Sequence, residues 1–349
     1  MNFVARSSND MMIQQHLSVE QPFELEAGGV LSRLDLVYHT SSGSPAGRRV
    51  VWICHALTAN SDVEQWWPQM AGPGKFIDTD RDFVVCVNIL GSPYGSSGPA
   101  SINPKTGKAY LLDFPKITIR DIVRTFGFVR NHLGIGSIDL LIGSSIGGFQ
   151  ALEWAVAEPD LIKSAVFMAT SPRVSPWLSA SAEAQRMALE ADPSFREAEG
   201  LGGGAAGLRC ARAQALISYR SFEGYRLTQS EPDADCLFAG RAASYERHQG
   251  DKLVARGFDA YSYLRLCDEL DSHNLGRARG GVDAALSGIK AKSLVISITS
   301  DGLFPPEEGR QWAACIPGAQ FKTIGSEFGH DGFLLETEQI CKAISSFLG

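Results

Sequence analysis

The sequence predicts an α/β protein in which a mostly parallel central sheet has helices on both faces and carries an inserted helical cap. Short β-branched and apolar runs alternate with helix-like stretches, the pattern of parallel strands joined by crossover helices. This rhythm stops over residues 171–286, where Ala-, Arg- and Glu-rich helical segments are broken by Gly-Gly-Gly at 202–204 and Glu-Pro-Asp at 231–233. We therefore expect a sheet domain built from residues 1–170 and 287–349, with residues 171–286 as the cap.

The strands of this sheet are predicted from apolar runs that are short enough to be covered on both faces. They are residues 50–54, 83–90, 138–142, 165–169 and 294–298. Residues 23–38 are predicted to form an opening antiparallel hairpin that turns at Ala-Gly-Gly. Thr118 and Asp121 have the spacing of a capping box, so a helix is expected to begin there and to run towards His132.

Composition excludes several classes of protein. Of the 349 residues 44% are hydrophobic and 20% charged, which is ordinary for a globular chain, and a net charge of −7 without a Lys/Arg run does not favour nucleic-acid binding. The seven cysteines are isolated, which indicates neither a disulfide framework nor a zinc site and favours the reducing cytoplasm. Residues 1–21 are polar and no long apolar run occurs, so neither export nor a membrane span is expected.

A Gly-x-Ser-x-Gly pentapeptide at residues 143–147 supplies a candidate nucleophile, Ser145. It follows the apolar run 138–142 and precedes a helix-like stretch, and this motif presents a reactive serine at such a strand-to-helix turn. The flanking glycines remove side chains that would collide in a strained turn. Ser144 is a rival nucleophile, although it is not centred between the glycines. An ordinary Gly/Ser turn without catalytic function is the alternative interpretation.

A serine hydroxyl reacts well only when an imidazole takes its proton and a carboxylate orients that imidazole. Asp301 follows the run 294–298 and enters Gly-Leu-Phe-Pro-Pro, so we expect it on a loop at the C-terminal end of a strand. His330 lies downstream, before the final helix, which gives the chain order of serine, acid and histidine that accompanies this motif. The alternatives are a helix-capping role for Asp301 and a surface-loop role for His330, with His55 as its competitor.

The segment His-Ala-Leu-Thr at residues 55–58 follows the strand run 50–54, where a loop can supply an oxyanion-hole amide. We assign the backbone N–H groups of Leu57 and Ile146 to this hole, because the intermediate of acyl transfer needs donors aimed at its developing oxyanion. His55 itself is expected to be structural. A tight loop without a catalytic role is the alternative.

These segments together resemble the homoserine O-acyltransferase family of the α/β-hydrolase fold, enzymes of methionine biosynthesis that convert homoserine to its acetyl or succinyl ester. By position, the resemblance implies a catalytic triad of Ser145, Asp301 and His330 within an α/β-hydrolase catalytic domain. It spans most of the chain and rests on segments in the family's order, namely residues 23–26, 55–58, 88–104, 114–115, 118–121, 150–154, 300–306 and 329–331.

The resemblance also implies a substrate site. Asp331 corresponds to the carboxylate that holds the amino group of homoserine, and Arg212 to the cap arginine that pairs with the substrate carboxylate. Tyr219 and Thr58 line the same site. A zwitterionic amino acid needs one cation and one anion at a fixed separation, and a guanidinium can grip a carboxylate with two parallel bonds. Without the resemblance, Arg212 would be interpreted as a solvated helix residue.

Two departures from the family pattern concern the acyl pocket. Gly-Ser-Ser-Ile-Gly-Gly at residues 143–148 replaces the usual Gly-Gly-Ser-Met-Gly-Gly, and Gly-Ser-Pro-Tyr at residues 91–94 replaces Gly-Gly-Cys followed by a variable residue. The β-branched Ile146 and the added hydroxyl alter the pocket walls, which leaves open whether the donor is acetyl-CoA or succinyl-CoA.

The resemblance implies ping-pong transfer of an acetyl group from acetyl-CoA to L-homoserine, without a metal or a tightly bound cofactor. The expected partners are therefore these small molecules and, as is common in the family, a second copy of the chain paired through the cap. Succinyl-CoA as donor and L-serine as acceptor are alternatives, because one methylene changes binding by only about 1–3 kcal/mol. An esterase of the same fold and a catalytically inactive binding protein are two further alternatives.

Overall fold

The computed structural model describes residues 12–349. Its strands are β1 (Ile13–Val19), β2 (Phe23–Glu24), β3 (Val30–Leu31), β4 (Leu34–Thr40), β5 (Val50–Cys54), β6 (Phe83–Val87), β7 (Ile138–Ser144), β8 (Ile162–Met168), β9 (Lys292–Ile298) and β10 (Gln320–Ile324). Its α-helices are α1 (Val63–Trp66), α2 (Ile119–His132), α3 (Ile146–Ala157), α4 (Pro176–Glu190), α5 (Ser194–Glu197), α6 (Ala205–Tyr219), α7 (Phe222–Gln229), α8 (Arg241–Ala255), α9 (Ala260–Ser272), α10 (Val282–Ser287), α11 (Pro306–Ala313), α12 (Gly332–Leu335) and α13 (Thr337–Leu348).

The central sheet is mostly parallel, as predicted. Its strand order is β1-β4-β6-β5-β7-β8-β9-β10, in which β1 and β4 are antiparallel and every pairing from β6 to β10 is parallel. Strands β5 and β6 are buried along their whole length, which explains why they read as continuous apolar runs rather than as alternating ones. The C-terminal ends of these parallel strands share one edge, where the loops that follow them meet.

The opening hairpin was predicted incorrectly in its extent. Only β2 and β3 pair around the turn, where Gly28 and Gly29 adopt positive φ angles, and they form a separate two-stranded sheet. Strand β4 instead joins the central sheet between β6 and β1. The reason is burial, because Leu34, Leu36 and Tyr38 are fully enclosed in the sheet core and this outweighs local pairing. Strand β1 was not predicted from the sequence.

Helices cover both faces of the sheet over two hydrophobic cores. Helices α2, α3 and α11 contribute to the core on one face, and α1 and α13 to the core on the other. The capping box predicted at α2 is present, because Thr118 Oγ1 accepts the Asp121 N–H at 3.2 Å and Asp121 Oδ2 accepts the Thr118 N–H at 3.1 Å. The helix therefore begins where the sequence indicates.

Helices α4 to α9 occupy the chain between β8 and β9, within the stretch that was predicted as a helical insertion. Helix α6 packs against both α4 and α8, and an isolated bridge between Arg173 and Asn274 joins the two ends of this stretch. The predicted upper boundary of the cap, between residues 286 and 287, falls within the last turn of α10. We refer to residues 171–286 as the cap.

No helix within residues 12–349 combines the length and the apolar character that crossing a membrane requires. All seven cysteines are free thiols. The sequence predicts that residues 1–21 carry no export signal. Residues 1–11 of this segment lie outside the described residues.

Candidate active site

Ser145 lies at a sharp turn between β7 and α3, with φ +57° and ψ −128°. This conformation is strained for a residue with a side chain, and such strain is typical of a presented nucleophile. The glycines are required by close backbone contacts: a Cβ at Gly143 would lie 2.1 Å from the Gly147 carbonyl oxygen, and one at Gly147 would lie 2.1 Å from that of Cys54. The pentapeptide therefore forms the turn that its sequence predicts.

Neighbouring residues hold this turn in place. The Ser145 N–H donates to the Met168 carbonyl at 3.1 Å, and Thr170 Oγ1 donates to the Ser145 carbonyl at 2.9 Å. A Cβ at Gly148 would lie 2.4 Å from Thr170, so this glycine allows Thr170 to approach. The sequence analysis did not identify Thr170, and nothing in its local pattern marks it, because it reaches the turn only through the pairing of β7 with β8.

Asp301 and His330 form a buried hydrogen-bonded pair. His330 Nδ1 donates to Asp301 Oδ2 at 2.7 Å, and the other carboxylate oxygen accepts the N–H groups of Leu303 at 2.8 Å and Phe304 at 3.0 Å. Asp301 lies on the loop after β9, as expected, and His330 lies after β10 and before the final helix. This arrangement fixes the tautomer of His330, so that its other nitrogen, Nε2, is a free acceptor.

The charges around His330 favour its protonated form. Burial lowers the pKa of His330, but the charge of Asp301, its hydrogen bond and the charge of Asp331 together raise that pKa above the usual value. His330 Nε2 is buried and, within residues 12–349, has no hydrogen-bond partner. No hydrogen bond joins it to Ser145 Oγ in the described structure, and such bonds often form only when substrate is bound.

The loop after β5 forms a tight turn over the sheet edge. The Ala59 N–H donates to the Ala56 carbonyl at 3.0 Å, which makes Leu57 and Thr58 the two central residues. Within the described structure, neither Leu57 nor Ile146 uses its backbone N–H in a hydrogen bond. Both predicted oxyanion donors are therefore available for an incoming oxygen atom.

His55 supports this turn from the core, which agrees with the structural role expected of it. Its Nε2 accepts the Ile89 N–H at 3.1 Å, while Nδ1 donates to the Ala56 carbonyl at 2.9 Å. Burial lowers the pKa of His55 to about 4, so it stays neutral at physiological pH. His55 is fully enclosed, and both of its ring nitrogens are engaged by backbone groups, whereas Asp301 pairs with His330, so His55 does not compete with His330 for the role of base.

Helix α6 of the cap brings Arg212 and Tyr219 towards His330. The ring centroid of Tyr219 lies 5.9 Å from that of His330, and the Arg212 guanidinium lies 5.8 Å from the Tyr219 ring centroid. Arg212 is half-buried and has no ion pair or hydrogen bond with any described residue. Burial, above all, raises the pKa of Tyr219 to about 12, so its hydroxyl stays protonated. The cap thus presents an unpaired cation beside Tyr219, the ring that faces His330.

Asp331, the predicted partner of the substrate amino group, already has a cationic neighbour. Arg220 Nε lies 3.2 Å from Asp331 Oδ2, and the Arg220 guanidinium stacks 5.0 Å from the ring centroid of Tyr245. Sequence reasoning missed Arg220, although it follows Tyr219 directly. Gly329 permits this contact between cap and loop, because at φ +67° its Cα lies so close to the cap that a Cβ would be 2.7 Å from the Tyr219 carbonyl oxygen.

Thr58, the remaining predicted contact, is half-buried in the turn after β5, and its side chain makes no hydrogen bond within the described residues. Its backbone carbonyl accepts bonds from Tyr94 and from Arg256. The described chain contains no group of three or more His, Cys, Asp or Glu side chains arranged to hold a metal ion.

Comparison with known proteins identifies relatives of this chain. Residues 49–337 match the family model of the α/β-hydrolase fold. The chain is 41% identical over 338 residues to a homoserine O-acetyltransferase of Chlorobaculum tepidum, which covers 95% of this chain and 94% of that protein.

Solved structures agree with this fold. The homoserine O-acetyltransferase of Bacillus anthracis superposes with a TM-score of 0.87 over 97% of this chain and 98% of that one, at 24% identity. An acetylester hydrolase of Corynebacterium glutamicum superposes with a TM-score of 0.82 over 97% and 96% of the two chains, also at 24% identity. Similarity at this level of identity shows the α/β-hydrolase fold, which transferases and esterases share.

Proposed function

This chain belongs to the homoserine O-acetyltransferase family of the α/β-hydrolase fold, and from that premise we propose that it transfers an acetyl group from acetyl-CoA to the hydroxyl of L-homoserine. The reaction uses Ser145 as nucleophile, His330 as general base and Asp301 as the carboxylate that orients His330. Leu57 and Ile146 donate their N–H groups to the oxyanion. The product is an activated ester that methionine biosynthesis consumes.

The observation that carries this proposal is the guanidinium of Arg212, which has no ion-pair or hydrogen-bond partner among the described residues and lies 5.8 Å from the ring centroid of Tyr219, itself 5.9 Å from that of His330. A half-buried cation without a partner is costly unless a ligand supplies the anion. The α-carboxylate of an amino acid is such an anion, and Asp331 is a carboxylate close enough to the imidazole to raise the pKa of His330. A simple ester offers neither charge, so this pair of groups favours an amino-acid acceptor.

In the first half-reaction, His330 Nε2 takes the proton of Ser145 as Oγ attacks the thioester carbonyl. The C–O bond to Ser145 forms, the C–S bond breaks, and the sulfur of coenzyme A leaves with the proton from His330. The charge of Asp301 and its hydrogen bond to His330 stabilise the imidazolium that forms between these two steps, and for this reason they raise the pKa of His330.

In the second half-reaction, His330 removes the proton of the homoserine hydroxyl, which attacks the acyl carbonyl on Ser145. The ester forms, and the bond to Ser145 breaks as His330 returns the proton. Water would release acetate instead, so the acceptor has to be held in place. Arg212 and Asp331, which bind the α-carboxylate and the α-amino group at one end of homoserine, hold the hydroxyl at its other end near the acyl carbon, and the cap limits the access of solvent.

The experiment that tests this function follows thiol release from acetyl-CoA and succinyl-CoA, each with L-homoserine, L-serine or no acceptor. We expect release that requires both acetyl-CoA and L-homoserine, with Ser145→Ala inactive. Thiol release without an acceptor would indicate an esterase. Faster release with succinyl-CoA would identify it as the donor in place of acetyl-CoA, and faster release with L-serine would identify it as the acceptor in place of L-homoserine. Silence in all six mixtures would reject the transferase and favour a binding protein.

Arg212→Met tests the acceptor site. We expect the KM for L-homoserine to rise about tenfold or more, because a hydrogen bond to a charged group contributes about 1.5–3 kcal/mol. The rate of acetyl-enzyme formation from acetyl-CoA alone should not change, since the donor does not use this cation. Arg209→Met, at an exposed position of the same helix, serves as the control. Equal losses in both half-reactions would contradict the role of Arg212.

The proposal includes a soluble cytoplasmic homodimer without a tightly bound cofactor. Free thiols suit a reducing compartment. The cap exposes large apolar side chains that a second copy could cover, at Ile217, Phe222, Leu237 and Phe238. Light scattering after size-exclusion chromatography tests the dimer, and a charge at Phe222 (Phe222→Glu) should weaken it, whereas a monomer in the unmodified protein would reject this part of the proposal.

A further inference from the structure

The turn that carries Leu57 is held from two sides. From the core, His55 donates to the Ala56 carbonyl at 2.9 Å. From the opposite side, two donors reach the carbonyl oxygen of Thr58, the second central residue of the turn. The Thr58 carbonyl shares a peptide group with the Ala59 N–H, which donates to the Ala56 carbonyl at 3.0 Å, and the Ala56 carbonyl shares a peptide group with the Leu57 N–H. The two donors to the Thr58 carbonyl therefore restrict the Leu57 N–H through this turn.

The two donors come from different parts of the molecule. Arg256, directly after α8 of the cap, donates through Nη2 to the Thr58 carbonyl at 2.6 Å. Tyr94, in the loop after β6, donates its hydroxyl hydrogen to the same carbonyl at 3.1 Å. Arg256 Nη2 also donates to the Tyr94 hydroxyl oxygen at 2.6 Å, which closes a three-way connection.

The cap and the sheet domain are also packed together at this point. The Tyr94 ring meets Phe258 edge to face, with centroids 5.8 Å apart, and Phe258 is buried two residues after Arg256. Arg256 itself has no carboxylate partner within residues 12–349. Its charge is therefore directed to neutral oxygen atoms of the turn and of Tyr94, rather than to an ordinary surface ion pair.

We propose that Arg256 and Tyr94 are positioning residues that align the oxyanion hole when the cap is seated on the sheet domain. The inference rests on the proposed function, because it needs Leu57 to be an oxyanion donor. Neither residue touches the substrate, and both act through the Thr58 carbonyl. Without the hydrogen bonds from Arg256, the Leu57 N–H loses part of the support that fixes its direction.

The test compares Arg256→Met, Arg256→Lys and Tyr94→Phe with the unmodified enzyme. Arg256→Met should lower kcat about 5- to 20-fold, which is less than the roughly 100-fold loss expected when an oxyanion donor is removed outright. The KM for L-homoserine should change less than about twofold, because Arg256 is not part of the acceptor site. Arg256→Lys keeps a donor within reach of the carbonyl and should recover most of the rate.

Tyr94→Phe keeps the ring that packs on Phe258 and removes only the hydroxyl, so it tests the connection even if a change at Arg256 impairs folding. Its effect and that of Arg256→Met should be non-additive in the double variant, because both act on one carbonyl. Arg247→Met is the matched control, since Arg247 is exposed on α8 and has no partner in the described chain. It should leave kcat unchanged.

A second substrate separates this inference from the proposed function. Acylation of Ser145 by p-nitrophenyl acetate needs the oxyanion hole but neither coenzyme A nor an amino acid, so it should fall by the same factor in Arg256→Met. If acetyl transfer to homoserine is absent and the variants still slow this acylation, the proposed function fails and the positioning role stands. Unchanged acylation and kcat in Arg256→Met and Tyr94→Phe, or an equal loss in Arg247→Met, would overturn the inference.

Discussion

At the scale of single residues, the site depends on the orientation of the His330 ring and on the strained backbone of Ser145. His330 uses Nδ1 to donate to Asp301 and leaves Nε2 free, and Ser145 is held at a backbone angle that an ordinary serine avoids. Asp301 accepts three hydrogen bonds and so cannot turn away from the imidazole. The orientation of His330, the proposed base, is therefore set before any substrate binds.

Asp301→Asn tests this orientation. The amide cannot favour the required tautomer, and we expect kcat to fall about 10⁴-fold, as expected for the loss of the orienting carboxylate in a triad of this kind. Because a base must be neutral to act, the raised pKa of His330 puts the acid limb of kcat/KM above pH 6.5 in the unmodified enzyme. Without the charge of Asp301, burial dominates and the limb should move to lower pH. A limb at the same pH in both proteins would contradict this cause.

At the scale of elements, α2 connects distant segments of the sheet domain. Its first turn is closed by the capping box, and Asp121 Oδ1 also accepts the Glu26 N–H at 3.0 Å, which ties the helix to the end of β2. Thr118 Oγ1 donates to Glu26 Oε2 at 2.8 Å. One threonine thus supports both a helix end and a contact between elements.

Thr118→Ala should destabilise the protein by about 1–2 kcal/mol, because the first turn of α2 loses its cap. Urea unfolding followed by circular dichroism gives the free energy of unfolding. Thr118→Ser keeps the hydroxyl and should remain within about 0.5 kcal/mol of the unmodified protein. The assignment would be wrong if the alanine and serine variants unfolded at the same urea concentration.

At the scale of the whole molecule, α9 places a buried acid against the sheet domain, where a Cβ at Gly91 would lie 2.6 Å from Glu269 Oε1. Neither carboxyl oxygen of Glu269 has a hydrogen-bond partner within residues 12–349, and the side chain is fully enclosed. Arg265, the nearby cation, donates instead to Asp268 and to the Leu112 carbonyl. Burial, with the charges of Asp268 and Asp121, raises the pKa of Glu269 well above its usual value. The folded protein therefore holds Glu269 protonated.

The pH dependence of stability follows from this proton. Above pH 4.5 the unfolded chain releases it while the folded chain keeps it, so stability falls as the pH rises towards the folded pKa. Glu269→Gln removes this titration with the same shape. We expect the variant to gain about 1.4 kcal/mol over the unmodified protein for each pH unit in this window. Urea unfolding in steps from pH 4.5 upwards measures the gain, and a difference that stays constant from pH 4.5 would exclude a raised pKa for Glu269.

The sequence by itself determined the elements and groups that depend on neighbours along the chain. The capping box at Thr118, the glycine-flanked turn at Ser145 and the positions of Asp301 and His330 after their strands are local patterns, because each needs only a few consecutive residues to form. The family was likewise determined by the order of such segments.

Only the tertiary structure decided the contacts between segments that are far apart in the chain. The place of β4 in the central sheet, the approach of Thr170 to the turn at Ser145, the pairing of Arg220 with Asp331 and the bond from Arg256 to the Thr58 carbonyl all belong to this class. Each arises from how the cap and the strands pack, and burial in a shared core decides that packing rather than any pattern of adjacent residues.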